Sequence, residues 1–234
     1  MNPPILFTKN LVMRPPNGED FEAWAAFNAD EESMRFLGGT QSRPIAWRGL
    51  CTLAGAWMVR GYSMFSLIER DTGRWVGRIG PHQPDGWPGP EVGWGVAREF
   101  AGRGYAYEAA VASMDYAVDV LGWTDIIHTI APDNIRSIRL AQRLGSTNRG
   151  PSALPPPFQG QPVDAWGQTA DDWRARRQAA SGPWLYQVAM SASGASSELR
   201  SKRWTRSGLA MNGRPKLIAS APPASTTACA LAKS

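Results

Sequence analysis

Cysteine and histidine are both scarce in this chain, with two of each in 234 residues. Cys51 and Cys229 lie far apart, and His82 and His128 form no cluster with them. A zinc site, or any other metal, is not expected, nor is a disulfide framework; two reduced thiols are. Long apolar runs are also missing. None reaches the roughly 18–20 residues of a membrane span. Met1-Asn2-Pro3-Pro4 does not open a basic and apolar leader. A cytoplasmic protein with no membrane partner is expected. Charge of one sign is lacking too, once residues 191–234 are set aside. That segment carries seven Lys and Arg against one acid, Glu198, while the remaining residues hold 18 bases and 19 acids. A near-neutral body is no electrostatic footprint for DNA or RNA, so nucleic acid is not an expected partner. Binding through the basic segment would be salt-dependent and lost on its removal.

What the chain does have is apolar mass. A hydrophobic content of 43% with 11 Trp supports a real core and excludes global disorder. Leu11–Pro15 reads as a short strand ended by Pro-Pro. Asn17-Gly18-Glu19-Asp20 is a turn, and Asp20 is placed to cap a helix over 21–28. A second helix is expected over 44–60, with Pro44 near its start and Gly61 at its end. Strands at 62–69 and 75–80 flank the hairpin turn Arg70-Asp71-Thr72-Gly73. Pro81–Pro90 is too rich in proline for regular structure. A strand at 91–97, a helix at 104–121, a strand at 124–131 and a helix at 134–144 closed by Gly145 follow. A Pro-rich loop spans 151–162, then comes a strand at 163–168 and a helix from Thr169 to about Ala180. Composition from Ser181 on predicts a disordered tail, with 183–190 as a candidate edge strand. The order is mixed α+β, antiparallel strands followed by crossover helices.

Chemistry concentrates in Glu91–Ala110. Gly102, Gly104 and Ala106 alternate where a strand passes through a turn into a helix. Small residues there clear side chains from the first helical N–H groups, which are unpaired and lie at the positive end of the dipole. Such a turn holds an anion, and a pyrophosphate fits. It is not a P-loop, because Tyr105-Ala106 stands where Lys and a hydroxyl residue are needed. It is not a dinucleotide fingerprint either, because Tyr107 stands where a small residue is needed.

Together with Ala131-Pro-Asp-Asn-Ile-Arg-Ser-Ile-Arg-Leu-Ala-Gln-Arg-Leu-Gly145, this stretch resembles the GNAT superfamily of acyl-CoA-dependent N-acetyltransferases, and within it the ribosomal-protein-alanine acetyltransferase-like branch. The resemblance covers residues 8–180. It implies a three-layer fold with a mostly antiparallel sheet, splayed between the fourth and fifth strands, and helices on both faces. It also implies acetyl-CoA as cosubstrate, with the pyrophosphate on the amides of Gly102, Arg103, Gly104, Tyr105 and Ala106. Gly104 and Ala106 match the family's turn. Ala101 departs from it, standing where the family places Gln or Arg, which removes one polar side chain from the phosphate rim. A bulge near Gly95, pantetheine in the gap beside the 124–131 strand, a Val96 N–H aimed at the thioester carbonyl and an Asn134 contact to pantetheine are further implications.

An amine must be neutral to attack a thioester, and a carboxylate can take its proton. Glu91 shares a strand face with Gly93 and Gly95, and the resemblance makes it the base. The alternative is that Glu91 caps the Pro-rich loop or pairs with an Arg. The resemblance makes Ser137 the acid that reprotonates the thiolate, with Tyr105 and Tyr107 as rivals. Helix capping by Asp133 or Asn134, with Ser137 in the first turn, is the other reading of this segment, and Asp133 is the preferred cap. His128 reads as a packed strand residue and His82 as an alternative base. Trp87-Pro88-Gly89-Pro90, Trp94 and Trp166 either line an acceptor pocket or anchor loops, and Glu99 and Glu108 are solvated or paired. The expected activity is direct acetyl transfer to a primary amine, on a protein N-terminus or a small molecule, by a monomer or homodimer. A non-catalytic acyl-CoA-binding or sensing module is the second reading, since it needs no base.

Overall fold

In the computed structural model, which describes residues 4–179 and 187–189, nine strands form one sheet. They are β1 (Ile5–Phe7), β2 (Leu11–Arg14), β3 (Phe65–Glu69), β4 (Trp75–His82), β5 (Glu91–Val96), β6 (Asp125–Ile130), β7 (Thr147–Ser152), β8 (Val163–Thr169) and β9 (Gln187–Ala189). The helices are α1 (Phe21–Ala29), α2 (Glu31–Met34), α3 (Arg43–Arg60), α4 (Tyr105–Asp119), α5 (Ile135–Leu144) and α6 (Ala170–Ala179). The spatial order is β7-β8-β6-β5-β4-β3-β2-β1-β9. Every pairing is antiparallel except β5 with β6.

The apolar pattern of each helix decides which face it covers. Ala109, Ala110, Ala112 and Ala117 are all buried in α4, and their small size lets the helix lie close against β4 and β5. Leu67, Ile79, Val92 and Phe100 complete that core. A second cluster joins α1 and α3 through Trp24, Phe27, Leu50 and Leu53, with Met64 and Trp75 packed among them. Trp75 meets Trp24 and Phe27 edge-on, at 6.0 and 5.6 Å between centroids.

Three differences from the sequence reading have physical reasons. β1 and β7 have no strand signal of their own. β1 is three residues long, and β7 contains Gly150-Pro151, which an edge strand with a register shift at that point tolerates. β4 runs on through Pro81 to His82 because β3 begins only opposite Ile79, so the N–H that Pro81 lacks has no partner to miss. Asp20 does not cap α1. Asn17 caps the preceding 3-10 turn, and Asp20 returns a bond to the Asn17 N–H at 3.0 Å. The candidate edge strand over 183–190 is present as Gln187–Ala189, paired with β1; the rest of the proposed tail lies outside the described residues.

Asp20 has a larger task. Its buried carboxylate accepts both Arg14 Nη atoms, at 2.9 and 2.6 Å, and the Ser66 hydroxyl at 2.7 Å. Removing one partner of a buried pair leaves the other uncompensated. Asp20→Asn is expected to lower stability by about 3 kcal/mol, read as a shifted denaturant midpoint. A loss below about 1 kcal/mol would be that of a surface pair.

Candidate active site

The parallel junction of β5 and β6 opens into a V. The strands pair at one rung, Glu91 with Ile127, and the Ile127 N–H donates to the Pro90 carbonyl at 2.9 Å. β6 then stays with β8 along its whole length. The hydrogen-bond parity of β5 is set on its other edge, where the Ala97 N–H donates to Val76 O at 2.9 Å. Antiparallel rungs alternate, so Val96, Trp94 and Val92 turn their N–H and C=O groups away from β4 and into the V. His128 closes its apex. Its Nδ1–H donates to Val92 O at 2.7 Å, and Nε2 accepts from the Ser146 hydroxyl at 3.1 Å. Burial holds this imidazole neutral, with its pKa lowered to about 4. The backbone of Trp94 and Val96 is left as an open strand edge.

Glu91 stands at the same junction on the α1–α3 face. Oε2 accepts from Trp87 Nε1 at 2.6 Å and from Thr129 Oγ1 at 2.8 Å. Oε1 has neither bond and overlooks Gly93, where an added Cβ would fall 3.2 Å from it. The residue is only 7% exposed. Burial raises its pKa to about 7, against the lowering effect of the Trp87 and Thr129 donors and of Arg78. His82 pairs across from Glu91 and packs edge-on against Trp87 at 4.8 Å. Burial, with Arg78 and Arg60, lowers its pKa to about 4, which makes it the weaker base of the two. Trp87 also meets Phe158 at 6.3 Å, while Gly38 and Gly86 lie against Phe158 and Pro155. The two Pro-rich loops and the segment after α2 thus converge above the carboxylate.

At the far end of β5 the chain enters α4 through Gly102 and Gly104, with φ of +80° and +86°. Gly104 is the N-cap residue, and Glu108 is the first to donate back, to Gly104 O at 3.1 Å. The N–H groups of Tyr105, Ala106 and Tyr107 precede any helical acceptor. An added Cβ at Gly102 or Gly104 would meet nothing within 4 Å. The turn is therefore an open, positively polarised cradle. The side chains around it are committed elsewhere. Tyr105 donates to Glu69 Oε1 at 2.5 Å, Arg103 lies 3.5 Å from the same oxygen, and Glu108 accepts from Asn10. Ala101 is exposed and leaves the rim free of a polar side chain.

On the other arm of the V, Asn134 caps α5, accepting the Ser137 N–H at 3.2 Å. Of the two capping candidates it is therefore Asn134 and not the preferred Asp133 that caps the helix; Asp133 sits exposed, 4.0 Å from Arg35. The Asn134 oxygen is used and its NH₂ remains a donor. The Ser137 hydroxyl accepts from Trp94 Nε1 at 3.0 Å, which leaves its proton to give.

A family model described as an acetyltransferase (GNAT) domain matches residues 10–147. The chain belongs to the GNAT acetyltransferase family. It is 26% identical to an uncharacterized N-acetyltransferase, p20, of Bacillus licheniformis, over 62% of this chain and 83% of that one. A solved acetyltransferase from Agrobacterium tumefaciens strain C58 is 29% identical with a TM-score of 0.63, over 72% of this chain and 95% of that one. A ribosomal-protein-S5-alanine acetyltransferase from Vibrio fischeri has a TM-score of 0.56 at 16% identity, over 72% and 98% of the two chains, and is alike in fold. Membership makes the chain an acyl-CoA-dependent acetyltransferase.

Seen as a GNAT domain, the chain departs from the sequence reading at several side chains. No bulge interrupts β5, whose register with β4 is unbroken from Gly77↔Val96 to His82↔Glu91. Gly95 is small instead because a Cβ there would approach Phe27 Cζ to 3.1 Å and Leu37 Cδ1 to 3.3 Å. Trp94 and Trp166 do not join Trp87 over the acceptor side. Trp94 lies tilted against His128 with centroids 4.6 Å apart, and Trp166 packs with Ile130 and Ala141. Glu99 pairs with Arg74. Thr129 and Arg78 are the site residues that sequence reasoning misses. Nothing local marks Thr129, which reaches Glu91 only because β6 lies beside β5.

Proposed function

We propose that this chain moves the acetyl group of acetyl-CoA directly to a primary amine in a ternary complex, with Glu91 as base. The observation that carries the reading is the Glu91 carboxylate itself, buried at the root of the V with Oε2 fixed by two side-chain donors that leave Oε1 uncommitted. A base works best when its pKa lies near the operating pH, and burial brings this one there. The α4 cradle suits the pyrophosphate and the open β5 edge suits the amide groups of pantetheine. Bound there, acetyl-CoA supplies the activated acyl group. Gly102, Arg103, Gly104, Tyr105 and Ala106 contribute backbone amides, and the Asn134 NH₂ adds a donor. The Val96 N–H faces the V, where charge develops on the thioester oxygen. Glu91 Oε1 takes the proton that the amine loses as its nitrogen bonds to the acyl carbon. The C–S bond breaks, and Ser137 relays a proton to sulfur, taking one from solvent as it gives its own. These groups all lie within residues 8–180, and a cytoplasmic location belongs to the same reading.

Protein N-termini, as in the ribosomal-protein-alanine branch, and small amines both remain acceptors for this mechanism. A non-catalytic acyl-CoA module is disfavoured because it has no use for a carboxylate buried at this cost. The purified protein is expected to release thiol from acetyl-CoA only when an amine from a varied panel is added. Acetyl-CoA binding with no release for any amine would support the non-catalytic module instead.

A further inference from the structure

Arg78 is the unexplained charge of the acceptor side. It occupies the same face of the sheet as Glu91, because the rungs Arg78↔Gly95, Gly80↔Gly93 and His82↔Glu91 alternate along β4 and β5. Arg78 and Glu91 thus stand two same-face rungs apart, roughly 13 Å at Cα. The rung between them is a pair of glycines, which leaves a trough with no side chains of its own. Met64 leans into it from the side. Its Cε lies 2.6 Å from where a Gly93 Cβ would stand, and its sulfur is 3.1 Å from Arg78 Nη1. Phe27 and Leu37 wall the trough over Gly95, and Arg78 lies over the Trp24 ring at 5.3 Å.

Among the described residues no carboxylate comes within salt-bridge distance of the Arg78 guanidinium, and Glu91 acts on it only at longer range. Asp20, the other buried acid of this face, is already paired with Arg14. Of the three guanidinium nitrogens, Nε is buried without a partner and Nη1 has only the Met64 thioether. Arg78 is half-buried as a residue with its Nε out of reach of water, and cations withdrawn from water are ordinarily paired, since desolvation without compensation is costly. A planar fork with open donors is also the geometry that recognises a carboxylate.

We infer that Arg78 binds a carboxylate of the acceptor, so that the amine acetylated by this enzyme belongs to an amino-acid-like molecule with its amine at Glu91 Oε1 and its acid at Arg78. The inference rests on the transfer reading above and deepens it. Polyamines and other cationic acceptors are disfavoured by the same charge. The apolar walls suit an acceptor whose remaining carbon skeleton is hydrophobic.

The test uses the full chain with acetyl-CoA and matched acceptors: glycine, β-alanine, 4-aminobutyrate, 6-aminohexanoate and L-leucine, each against its own carboxamide. The wild-type protein is expected to favour at least one free acid over its amide in kcat/KM by about 10- to 100-fold, the range of a charge-assisted hydrogen bond. The difference should lie in KM more than in kcat. Arg78→Met is expected to collapse that preference by the same factor, and comparing ratios between the two proteins removes differences in amine basicity. Arg78→Lys keeps the charge and is expected to retain part of the preference, which covers the case in which Arg78→Met does not fold. Amines turned over with no preference for the acid, or a preference that survives in Arg78→Met or, failing that variant, is unaltered in Arg78→Lys, would overturn the assignment of Arg78. No turnover of any of these acceptors would overturn this inference alone, the transfer reading being tested separately by the varied amine panel.

Discussion

Glu91→Gln is expected to bind acetyl-CoA as the parent chain does and to transfer acetyl at least about 100-fold more slowly. The substitution is close to isosteric. The Gln carbonyl oxygen can still accept from Trp87 and Thr129, which both bond one oxygen of the native carboxylate. What it loses is the basic Oε1. Its stability should change in the opposite sense to its activity. Burial raises the Glu91 pKa from 4.5 to about 7. Between those values the folded protein holds a proton that the unfolded chain has released, so this group's contribution to stability falls as pH rises through the interval. Above pH 7 the charged carboxylate costs roughly 1–3 kcal/mol. Glu91→Gln should therefore be the more stable protein at pH 8, with its advantage fading toward pH 4.5, as measured by denaturant midpoints. Unchanged turnover, or a variant less stable than the parent at pH 8, would remove Glu91 from the role of base.

Gly104→Asp is expected to fold and to lose CoA on the order of 100-fold in affinity, the cost of like charges about 5 Å apart at a partly exposed site. Gly104 has a φ of +86°, a conformation that Asp and Asn accept better than other side chains. A Cβ there meets no neighbour. A carboxylate at a helix N-terminus is otherwise favourable, so any loss of binding would not be a loss of fold. Gly104→Asn, of the same shape without the charge, should weaken CoA by less than about 10-fold. The difference between the two variants should shrink as salt is added. Calorimetric titration with CoA measures both. Equal affinities for Asp and Asn would place the pyrophosphate away from this turn.

Much of this site was legible in the sequence, because its cradle is local. The strand, the two glycines and the start of α4 are consecutive, and Asn134 to Gly145 is one helix with its own cap and stop. Local chemistry and period suffice for such units. Side-chain partners were less legible, because they come from sheet order. Tyr105, which follows β5, is held by Glu69 of β3, two places away in the sheet, and Thr129 meets Glu91 only across the parallel junction. Arg78 looks like an ordinary outward residue of a hairpin until β5 is laid beside it. Trp94 is a different case. Period two already sets it opposite to Glu91, and parity excludes it from the acceptor face without any structure.

The most direct test of Glu91 as the base is the pH dependence of amine-dependent thiol release from acetyl-CoA, taken from about pH 5.5 to 9 at saturating acetyl-CoA for wild type and Glu91→Gln. The wild-type rate should rise with pH, with an inflection near 7 set by Glu91. In Glu91→Gln that inflection should vanish, leaving a slow rate that follows the ionisation of the amine alone. Release without amine, or the same inflection in both proteins, would contradict a ternary complex in which this carboxylate takes the proton.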